Sequence, residues 1–471
     1  MLSGVMSRNA FFIRLLRRLG LPPQKVALVL CDLLALLGTV VAVFLLRAAF
    51  GDLDPVLYRW GMPLLLLGPA FGASLGLYRS ISLPPQRELK ALFLMTSLMY
   101  ALILAALFLA KSGDMYSRLV ILGSWAATVF TLPALRGFCR RRFSRSRWWG
   151  TPLIILDRSD MGRDLWHYIR RHPERGLTPV EIFDLPDDEA RMRELLATAA
   201  RRCPNAIALI LQRAGQGSRL DYVAEASRHF SSVLLVPSFK EGIRTHWLTP
   251  CDLGNTMGLL LRQNLHDKRR LRMKRCIDLF LCLLILPLLL PLGLLLGLLI
   301  RLDSPGSILY RQRRVGQGGR ALHVYKFRTM ATNADAVLEA MLARDPALRE
   351  EWERDHKLKR DPRITRMGAF LRKTSLDELP QLINVVMGGM SLVGPRPIVA
   401  AEIEKYGEVY DEYCRVKPGI TGLWQISGRN DTSYGERVAY DHYYINNWSV
   451  WMDLWILGRT VPVVLSGYGA Y

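Results

Sequence analysis

Two adjacent carboxylates, Asp377 and Glu378, lie in the stretch from Arg372 to Gln381, shortly after the cations Arg372 and Lys373. Adjacent acidic residues often do no more than stabilise the start of a helix. Among cations, however, such a pair can divide two tasks. An aspartate can attack phosphorus and form an acyl phosphate, while its neighbour helps to hold a divalent metal ion. The pair therefore points to phosphoryl-transfer chemistry.

Basic residues that can contact phosphate occur on both sides of this pair. Lys326 and Arg328 are two residues apart, so in an extended segment both side chains would point to one face. Arg396 lies in the stiff segment 394–397, and a guanidinium can bind phosphate through two parallel hydrogen bonds. Residues 310–316 are predicted to form a basic, flexible turn. A solvated basic surface near anionic lipid is the alternative interpretation of these charges.

The composition narrows the class of protein. Hydrophobic residues make up 50% of the 471-residue chain, which excludes a disordered protein. The seven cysteines form no CxxC pair, so a zinc site or disulfide framework is not expected. The sequence also has no Walker loop, HExxH or GxSxG motif. A net charge of +22 leaves a nucleic-acid binder or a membrane protein with basic cytoplasmic faces.

Four apolar runs favour the membrane protein. Each has about the 20 residues that a helix needs to cross hydrocarbon. They cover residues 26–50, 60–78, 89–110 and 116–135. Basic residues are most frequent before the first run, after the second and after the fourth, which by the positive-inside rule places both ends in the cytoplasm. We therefore expect a four-helix transmembrane bundle over residues 1–148.

Residues 149–265 alternate short β-rich runs with helix-like stretches, which predicts a parallel sheet in a Rossmann-like α/β domain. The β-rich runs are 153–156, 180–183, 206–211 and 233–236. In the GxGxxG position after the first run, only Gly162 is a glycine, while Asp157 and Ser159 fill the first two glycine positions. Asp157 would place negative charge beside a pyrophosphate. A scaffold or regulatory domain is therefore favoured over one that binds NAD.

A fifth apolar run, residues 276–300, contains Pro287 and Pro291 in its middle. Each proline removes a backbone donor and bends a helix. Basic residues flank both ends of the run, and an ordinary crossing would carry one of these clusters to the outer side. We therefore expect a re-entrant helix that bends at the two prolines and returns, with an ordinary kinked span as the alternative.

The stretch 268–471 resembles the monotopic polyprenyl-phosphate phosphoglycosyl transferases. The resemblance rests on the runs YKFRTM (325–330), RKTSLDELPQL (372–382), MSLVGPRP (390–397) and KPGITGLWQISGRN (417–430). Four N-terminal spans and a degenerate nucleotide-like domain are similar to the long bacterial form of the family. Residues 351–365 and 467–471 look like those of members that transfer galactose phosphate.

This resemblance implies an α+β catalytic domain over residues 266–471. Asp377 resembles the nucleophile that takes a phosphosugar from a UDP-sugar, and Glu378 its partner carboxylate, with both near Mg²⁺. The positions implied to bind diphosphate or lipid phosphate are Lys326, Arg328, Arg372 and Arg396. One departure from the family is that Leu286, rather than a serine, precedes Pro287.

The reaction that the resemblance implies is ping-pong transfer of galactose 1-phosphate to undecaprenyl phosphate with release of UMP. This would be the first membrane step of O-antigen, capsule or exopolysaccharide synthesis. The family also implies a multi-pass protein of the bacterial inner membrane, a catalytic domain on the cytoplasmic face, contact with membrane lipid, and a homodimer.

Three alternatives stay open. The first is the same reaction with UDP-glucose or the UDP derivative of an N-acetylated amino sugar as the donor. The second is a non-catalytic membrane nucleotide sensor or scaffold, which an intact glycine fingerprint, absent here, would favour. The third is a nucleic-acid binder. Apolar spans beside each basic cluster argue against it, and no RNA-binding aromatic signature occurs, so no nucleic-acid partner is expected.

Overall fold

In the computed structural model, the polypeptide divides into two folded units, residues 1–243 and 244–471. The predicted domain boundaries after residues 148 and 265 stay predictions. The structure describes residues 22–79, 81–111, 115–146, 148–157, 160–184, 188–203, 205–212, 220–237, 248–252, 257–261, 268–331, 361, 363–428 and 432–465, together with a few positions between 334 and 349.

Five helices form the apolar part of the first unit: α1 (Pro23–Ala48), α2 (Pro55–Gly61), α3 (Leu67–Ser74), α4 (Pro85–Leu109) and α5 (Arg118–Phe143). By length and composition, α1, α4 and α5 are long and apolar enough to cross a membrane. At 1.5 Å per residue each measures about 38 Å, which exceeds the roughly 30 Å of a hydrocarbon core. The first, third and fourth predicted runs thus form helices of spanning length.

The second predicted run is not one continuous α-helix. The short helix α2 is followed by a 3₁₀ segment, Met62–Leu66, and then by α3. Pro63 and Pro69 lack the backbone N–H that the interior of an α-helix requires. Residues 55–74 are thus continuously helical but not in one regular α-helix, so the prediction of a single spanning helix over 60–78 stays a prediction.

Charged side chains are buried between α1, α4 and α5. Arg136 is 1% exposed, and its guanidinium contacts the carboxylates of Asp32 and Glu88. Arg140 pairs with the other oxygen of Glu88 at 2.7 Å, and the Tyr78 hydroxyl donates to Asp32 Oδ2 at 2.7 Å. Buried charges are tolerated when they are paired and hydrogen-bonded. The two arginines and two carboxylates therefore neutralise one another and tie the three helices together.

A four-stranded parallel sheet completes the first unit, with the strand order β2-β1-β3-β4. Its elements are β1 (Thr151–Leu156), α6 (Asp160–Arg171), β2 (Leu177–Phe183), α7 (Glu189–Arg202), β3 (Ile207–Gln212), α8 (Leu220–His229) and β4 (Val233–Pro237). Each predicted β-rich run falls on one of these strands. The parallel sheet is confirmed, and its assignment as Rossmann-like stays a prediction.

Asp157 follows β1 directly, at the first glycine position of the degenerate fingerprint. It is 4% exposed, and its Oδ2 accepts a hydrogen bond from the backbone N–H of Gly162 in α6 at 2.7 Å. In dinucleotide-binding folds the N–H groups at this end of the helix bind phosphate. The protein's own carboxylate therefore uses a donor that a phosphate would need, which favours the scaffold interpretation.

The second unit mixes helices and short sheets. Its elements are β5 (Leu248–Asp252), β6 (Met257–Leu261), α9 (Lys268–Asp303), β7 (Leu309–Val315), β8 (Ala321–Phe327), α10 (Arg366–Thr374), α11 (Gln381–Met387), β9 (Ser391–Val393), α12 (Ile403–Tyr406), α13 (Tyr410–Arg415), β10 (Gly419–Thr421), α14 (Leu423–Ser427), α15 (Tyr434–Asn447) and α16 (Val450–Leu465). The pairs β5–β6 and β7–β8 are antiparallel, and β9 pairs with β10 in parallel.

The N-terminal end of α9 is bonded into the core of this unit. The ammonium of Lys274 donates to the carbonyl oxygen of Val393 at 3.0 Å, to the Tyr444 hydroxyl at 3.1 Å and to Asp453 Oδ2 at 2.6 Å. Trp448 donates to the same carboxylate oxygen at 3.0 Å. This buried network fixes the start of α9 against β9, α15 and α16.

The C-terminal end of α9 packs on the same unit. Leu296 and Ile300 share a buried cluster with Leu371 of α10, and Asp303 accepts a hydrogen bond from the backbone N–H of Met367 at 3.0 Å. Between the two ends, the apolar side chains around Pro287 and Pro291 are exposed, for example Leu288 at 75%. The helix therefore presents an apolar middle while both of its ends are held by one folded unit.

Candidate active site

Asp377 and Glu378 lie in a short 3₁₀ turn, Leu376–Glu378, directly after α10. The helix ends at Ser375, whose φ of 56° is a left-handed conformation that is uncommon for residues other than glycine. Such a residue ends many helices, because it turns the chain away from the helix axis. The cap therefore stops α10 and starts the turn that carries both carboxylates.

The strand β8 brings Lys326 against the acidic pair. Its Nζ lies 2.7 Å from Glu378 Oε1 and 3.9 Å from Asp377 Oδ2. The Asp377 side chain is 16% exposed and that of Glu378 is 33% exposed, so both stay accessible from one side. The structure thus joins the predicted acidic pair with one of the predicted cations.

Asn384 in α11 holds β8 beside this pair, and the sequence analysis missed it. Its Oδ1 accepts from the backbone N–H of Tyr325 at 3.0 Å, and its Nδ2 donates to the carbonyl oxygen of His323 at 2.7 Å. Because α11 begins shortly after Glu378, the helix that follows the carboxylates also fixes the strand that carries Lys326. The sequence offers one signal for this role, because a polar amide within the apolar run 382–386 indicates a buried side chain that hydrogen-bonds to the backbone.

Asp377 has an altered proton affinity. Burial raises the pKa of its carboxyl to about 6, and the neighbouring charge of Glu378 adds to this effect, whereas Lys326 and Arg372 oppose it. Desolvation disfavours the charged form of an acid, and nearby cations favour it. The carboxyl is therefore ionised at neutral pH and becomes protonated in mild acid.

Arg372 reaches the site from the last turn of α10. Its Nε donates to Thr329 Oγ1 at 3.0 Å. Burial lowers the pKa of this guanidinium, while the charges of Asp377 and Asp361 raise it. Arg372 therefore lies close enough to Asp377 to share its electrostatic environment.

Arg328 is directed elsewhere. It lies just past the end of β8, and its backbone N–H donates to the carbonyl oxygen of Ile308 at 2.9 Å. Its terminal nitrogens donate to the carbonyl oxygens of Ser304 and Pro305 at 2.5 and 2.8 Å, and it is 8% exposed. Arg328 thus closes the turn after α9. The expectations that Lys326 and Arg328 share one face and that Arg328 contacts phosphate stay predictions.

Arg396 lies in the loop that follows β9. Gly394 at the start of this loop packs so closely that a Cβ there would lie 2.6 Å from the carbonyl oxygen of Lys417. Its backbone N–H also donates to the carbonyl oxygen of Thr421 at 2.9 Å. The guanidinium carbon of Arg396 lies 5.4 Å from the ring centroid of Trp424. Backbone contact without a Cβ thus fixes the loop that aims this predicted phosphate ligand.

Arg314 is a further basic residue that the sequence analysis did not single out. The predicted flexible turn over 310–316 is instead mostly the strand β7. In the antiparallel register Tyr310 pairs with Lys326 and Arg314 with Leu322, so Arg314 and Lys326 share one face of the hairpin. The Arg314 side chain is 12% exposed, and its Nη1 lies 3.9 Å from Glu402 Oε2.

The acidic pair fits a magnesium ion that is bound mainly by substrate. In the part of the chain that the structure describes, no group of three or more His, Cys, Asp or Glu side chains could enclose a metal. Mg²⁺ often takes only one or two carboxylates and completes its shell with water and substrate phosphates. Asp377 and Glu378 can supply those carboxylates, although Lys326 already contacts one oxygen of Glu378.

Several sequence expectations fall outside the described residues. These are most of the run 351–365, the ending 467–471, and positions 429 and 430 of the last family-like run.

Two family models match the sequence. Residues 269–467 match a model described as bacterial sugar transferase. Residues 73–213 match a model described as a CoA-binding domain. The first match covers every residue of the site described above.

The sequence is also similar to known proteins, over different shares of the chain. The undecaprenyl-phosphate galactose phosphotransferase of Salmonella typhimurium is 38% identical over 82% of this chain and 82% of its own length. The UDP-galactose-lipid carrier transferase of Erwinia amylovora is 35% identical over 75% of this chain and 76% of its own length. The UDP-glucose:undecaprenyl-phosphate glucose-1-phosphate transferase of Escherichia coli is 42% identical over 40% of this chain and 39% of its own.

The contacts of Arg328 predict that it stabilises the fold. Replacing it in Arg328→Met leaves the carbonyl oxygens of Ser304 and Pro305 without their charged donor, which should cost about 1.5–3 kcal/mol per lost bond. A lower thermal unfolding midpoint of the detergent-solubilised protein is expected. Arg313→Met, at an exposed position of β7, serves as the control and should leave the midpoint unchanged. Equal midpoints for both variants would contradict the structural role.

Proposed function

Because the chain belongs to the polyprenyl-phosphate phosphoglycosyl transferase family, we propose that it transfers galactose 1-phosphate from UDP-galactose to undecaprenyl phosphate and releases UMP. The observation that carries this proposal is the contact of Lys326 with the adjacent carboxylates of Glu378 and Asp377. An aspartate of raised pKa beside two cations is suited to attack a phosphorus atom that carries negative oxygens.

In the first step, a carboxylate oxygen of Asp377 attacks the β-phosphorus of the donor. The new O–P bond forms as the bond between this phosphorus and the bridging oxygen breaks. The bridging oxygen and its electron pair leave with UMP, so no proton has to be supplied. Lys326 and Arg372 stabilise the charge on the phosphoryl oxygens. The product on the enzyme is an aspartyl phosphosugar.

In the second step, a phosphate oxygen of undecaprenyl phosphate attacks the same phosphorus. The bond to Asp377 breaks, which regenerates its carboxylate and forms undecaprenyl-diphosphate-galactose. The two steps use one site in turn, which is the basis of ping-pong kinetics. Asp377 and Glu378 would hold Mg²⁺, which when bound supplies positive charge for the donor diphosphate.

The contacts of α9 support a re-entrant helix. Lys274 near its start and Asp303 at its end are both bonded to the same folded unit. A straight helix from Lys274 to Asp303 would measure about 44 Å and would place its ends on opposite sides of a membrane. A bend at Pro287 and Pro291 brings both ends back to one side and leaves the apolar middle in lipid. The catalytic unit then lies at the cytoplasmic surface of the inner membrane, where the lipid phosphate is found.

The donor sugar and the middle domain rest on different arguments. The relatives named for galactose match a larger share of this chain than the glucose-1-phosphate transferase of Escherichia coli, which supports galactose over glucose.

Residues 149–265 are proposed as a scaffold, because the Asp157 carboxylate accepts a hydrogen bond from a helix N–H that a phosphate would use. The homodimer and the O-antigen, capsule or exopolysaccharide pathway stay predictions.

The nucleophile is tested by Asp377→Asn. Purified protein in nanodiscs with Mg²⁺ and undecaprenyl phosphate should release UMP from UDP-galactose faster than from UDP-glucose. The variant should lose this activity by more than about 10³-fold, since an amide cannot form the acyl phosphate. Asp411→Asn, at an exposed position, is the matched control. Preference for UDP-glucose would move the assignment to glucose, and an active Asp377→Asn would overturn the nucleophile.

The acidity of Asp377 predicts a pH profile. The attacking carboxyl must be ionised, and its raised pKa of about 6 places the loss of the charged form below that pH. The rate of the UMP burst, measured without acceptor, should be constant above about pH 7 and should fall about tenfold per pH unit below pH 6. Lys326→Met removes a cation that lowers this pKa, so its profile should shift to higher pH. A flat profile between pH 5 and 8 would contradict the assignment.

The re-entrant path predicts one-sided labelling. Met273 and Leu302 are 47% and 74% exposed near the two ends of α9. In sealed inner-membrane vesicles, Met273→Cys and Leu302→Cys should react with an impermeant maleimide from the cytoplasmic side alone. Leu288→Cys in the apolar middle should react from neither side. Labelling of the two ends from opposite sides would show an ordinary crossing.

A further inference from the structure

A second group of arginines lies in the second unit, around the ring of Trp424. The guanidinium carbon of Arg396 lies 5.4 Å from the ring centroid, and that of Arg437 lies 5.0 Å from it. Arg396 comes from the loop after β9 and Arg437 from the first half of α15. Two like charges are thus brought to one aromatic side chain from distant parts of the sequence.

Several polar atoms at this place have no hydrogen-bond partner among the described residues. Trp424 is 5% exposed and its Nε1 is unpartnered, as are Arg437 Nε and Gln425 Oε1. Within the described ranges, no carboxylate forms an ion pair with Arg396 or Arg437. Buried donors without acceptors cost free energy, which a ligand with matching acceptors would recover. Two of the three unpartnered atoms are N–H donors, which match an anion.

The backbone behind this cluster is rigid. Asp441, which is fully buried in α15, accepts a hydrogen bond from the Tyr406 hydroxyl at 2.7 Å. The backbone of Arg396 also hydrogen-bonds to the Asp441 carboxyl and lowers its pKa, although burial raises that pKa to about 7. Gly422 packs against the carbonyl oxygen of Gly394, where a Cβ would lie 2.4 Å away. The donors are therefore held before a ligand arrives, which reduces the cost of binding.

Arg314 connects this cluster with the acidic pair. It shares a face of the β7–β8 hairpin with Lys326. Burial lowers the pKa of Arg314 and the charge of Arg396 lowers it further, while Glu402 and Glu378 raise it. Arg314 is thus near both Arg396 and Glu378. Arg314 therefore lies between the acidic pair that Lys326 contacts and the two arginines at Trp424.

We propose that Arg437 and the indole N–H of Trp424, together with Arg396, bind a second substrate phosphate beside the one that reacts at Asp377. The inference rests on the proposed function, which requires two phosphates near the reacting phosphorus. The phosphate is either that of the departing uridine monophosphate or that of the incoming polyprenyl phosphate. Both present the same oxygens to two guanidinium groups and one N–H donor.

The test compares Arg437→Gln with Arg415→Gln, a control at an exposed position of the same unit. Binding of UDP and of undecaprenyl phosphate in nanodiscs is measured by equilibrium dialysis on Asp377→Asn protein, which does not turn over. Arg437→Gln should weaken binding of one of the two by roughly 10- to 100-fold. The control should bind both normally. Weaker UDP binding identifies the uridine-linked phosphate, and weaker lipid binding identifies the acceptor.

The two half-reactions provide the second readout on protein that carries Asp377. A donor site predicts a higher KM for UDP-galactose in the UMP burst, and an acceptor site predicts an unchanged burst with slower transfer to lipid. Trp424→Phe keeps an aromatic ring but removes the indole N–H. It should therefore weaken the same half-reaction to a smaller degree, even if Arg437→Gln does not fold. Unchanged binding and unchanged half-reactions in the folded variants would overturn this inference. An inactive wild type with weakened binding in Arg437→Gln would instead overturn the transferase proposal alone.

Discussion

The ion pairs that Lys326 makes with Glu378 and Asp377 decide whether this site can hold two adjacent charged carboxylates. Two adjacent carboxylates repel each other, and burial alone drives the Asp377 carboxyl toward its neutral form. The ammonium group, helped by Arg372, offsets both effects enough to keep the acid ionised at neutral pH. A less buried aspartate would be more strongly hydrated, whereas one without neighbouring cations would hold its proton more tightly. The proposed role of Asp377 as the nucleophile depends on this balance.

Three elements position the charges. The left-handed cap at Ser375 ends α10 and presents the acidic pair. The helix α11 then begins, and its Asn384 bonds the backbone of β8 on either side of Val324. The hairpin partner β7 sets the register that places Arg314 on the face of Lys326. A strand, a helix cap and a buried amide thus act together, so that a shift of β8 by one residue would turn Lys326 away from the carboxylates.

A reaction between a water-soluble donor and a lipid acceptor also requires that the site lie at a fixed depth. In the proposed arrangement, α9 provides this depth, because its exposed leucines prefer hydrocarbon while Lys274 and Asp303 bind the catalytic unit. The first unit contains charged side chains between its apolar helices. Its buried arginines and carboxylates pair with each other and leave no net charge in the apolar bundle. Neither device involves the reacting atoms, yet each limits where charge can lie near lipid.

The sequence by itself determined the chemistry of the site and the apolar character of the long helices. Adjacent residues such as Asp377 and Glu378 are recognisable as a pair from the sequence alone, and so is a run of apolar side chains. The tertiary structure decided which cations meet these carboxylates. Lys326 and Glu378 are 52 positions apart, and Asn384 and Tyr325 are 59 apart, so no local periodicity connects them. Arg314 and Arg437 were overlooked for the same reason: the side chains that meet where two distant elements pack depend on contacts between segments and not on the neighbouring sequence.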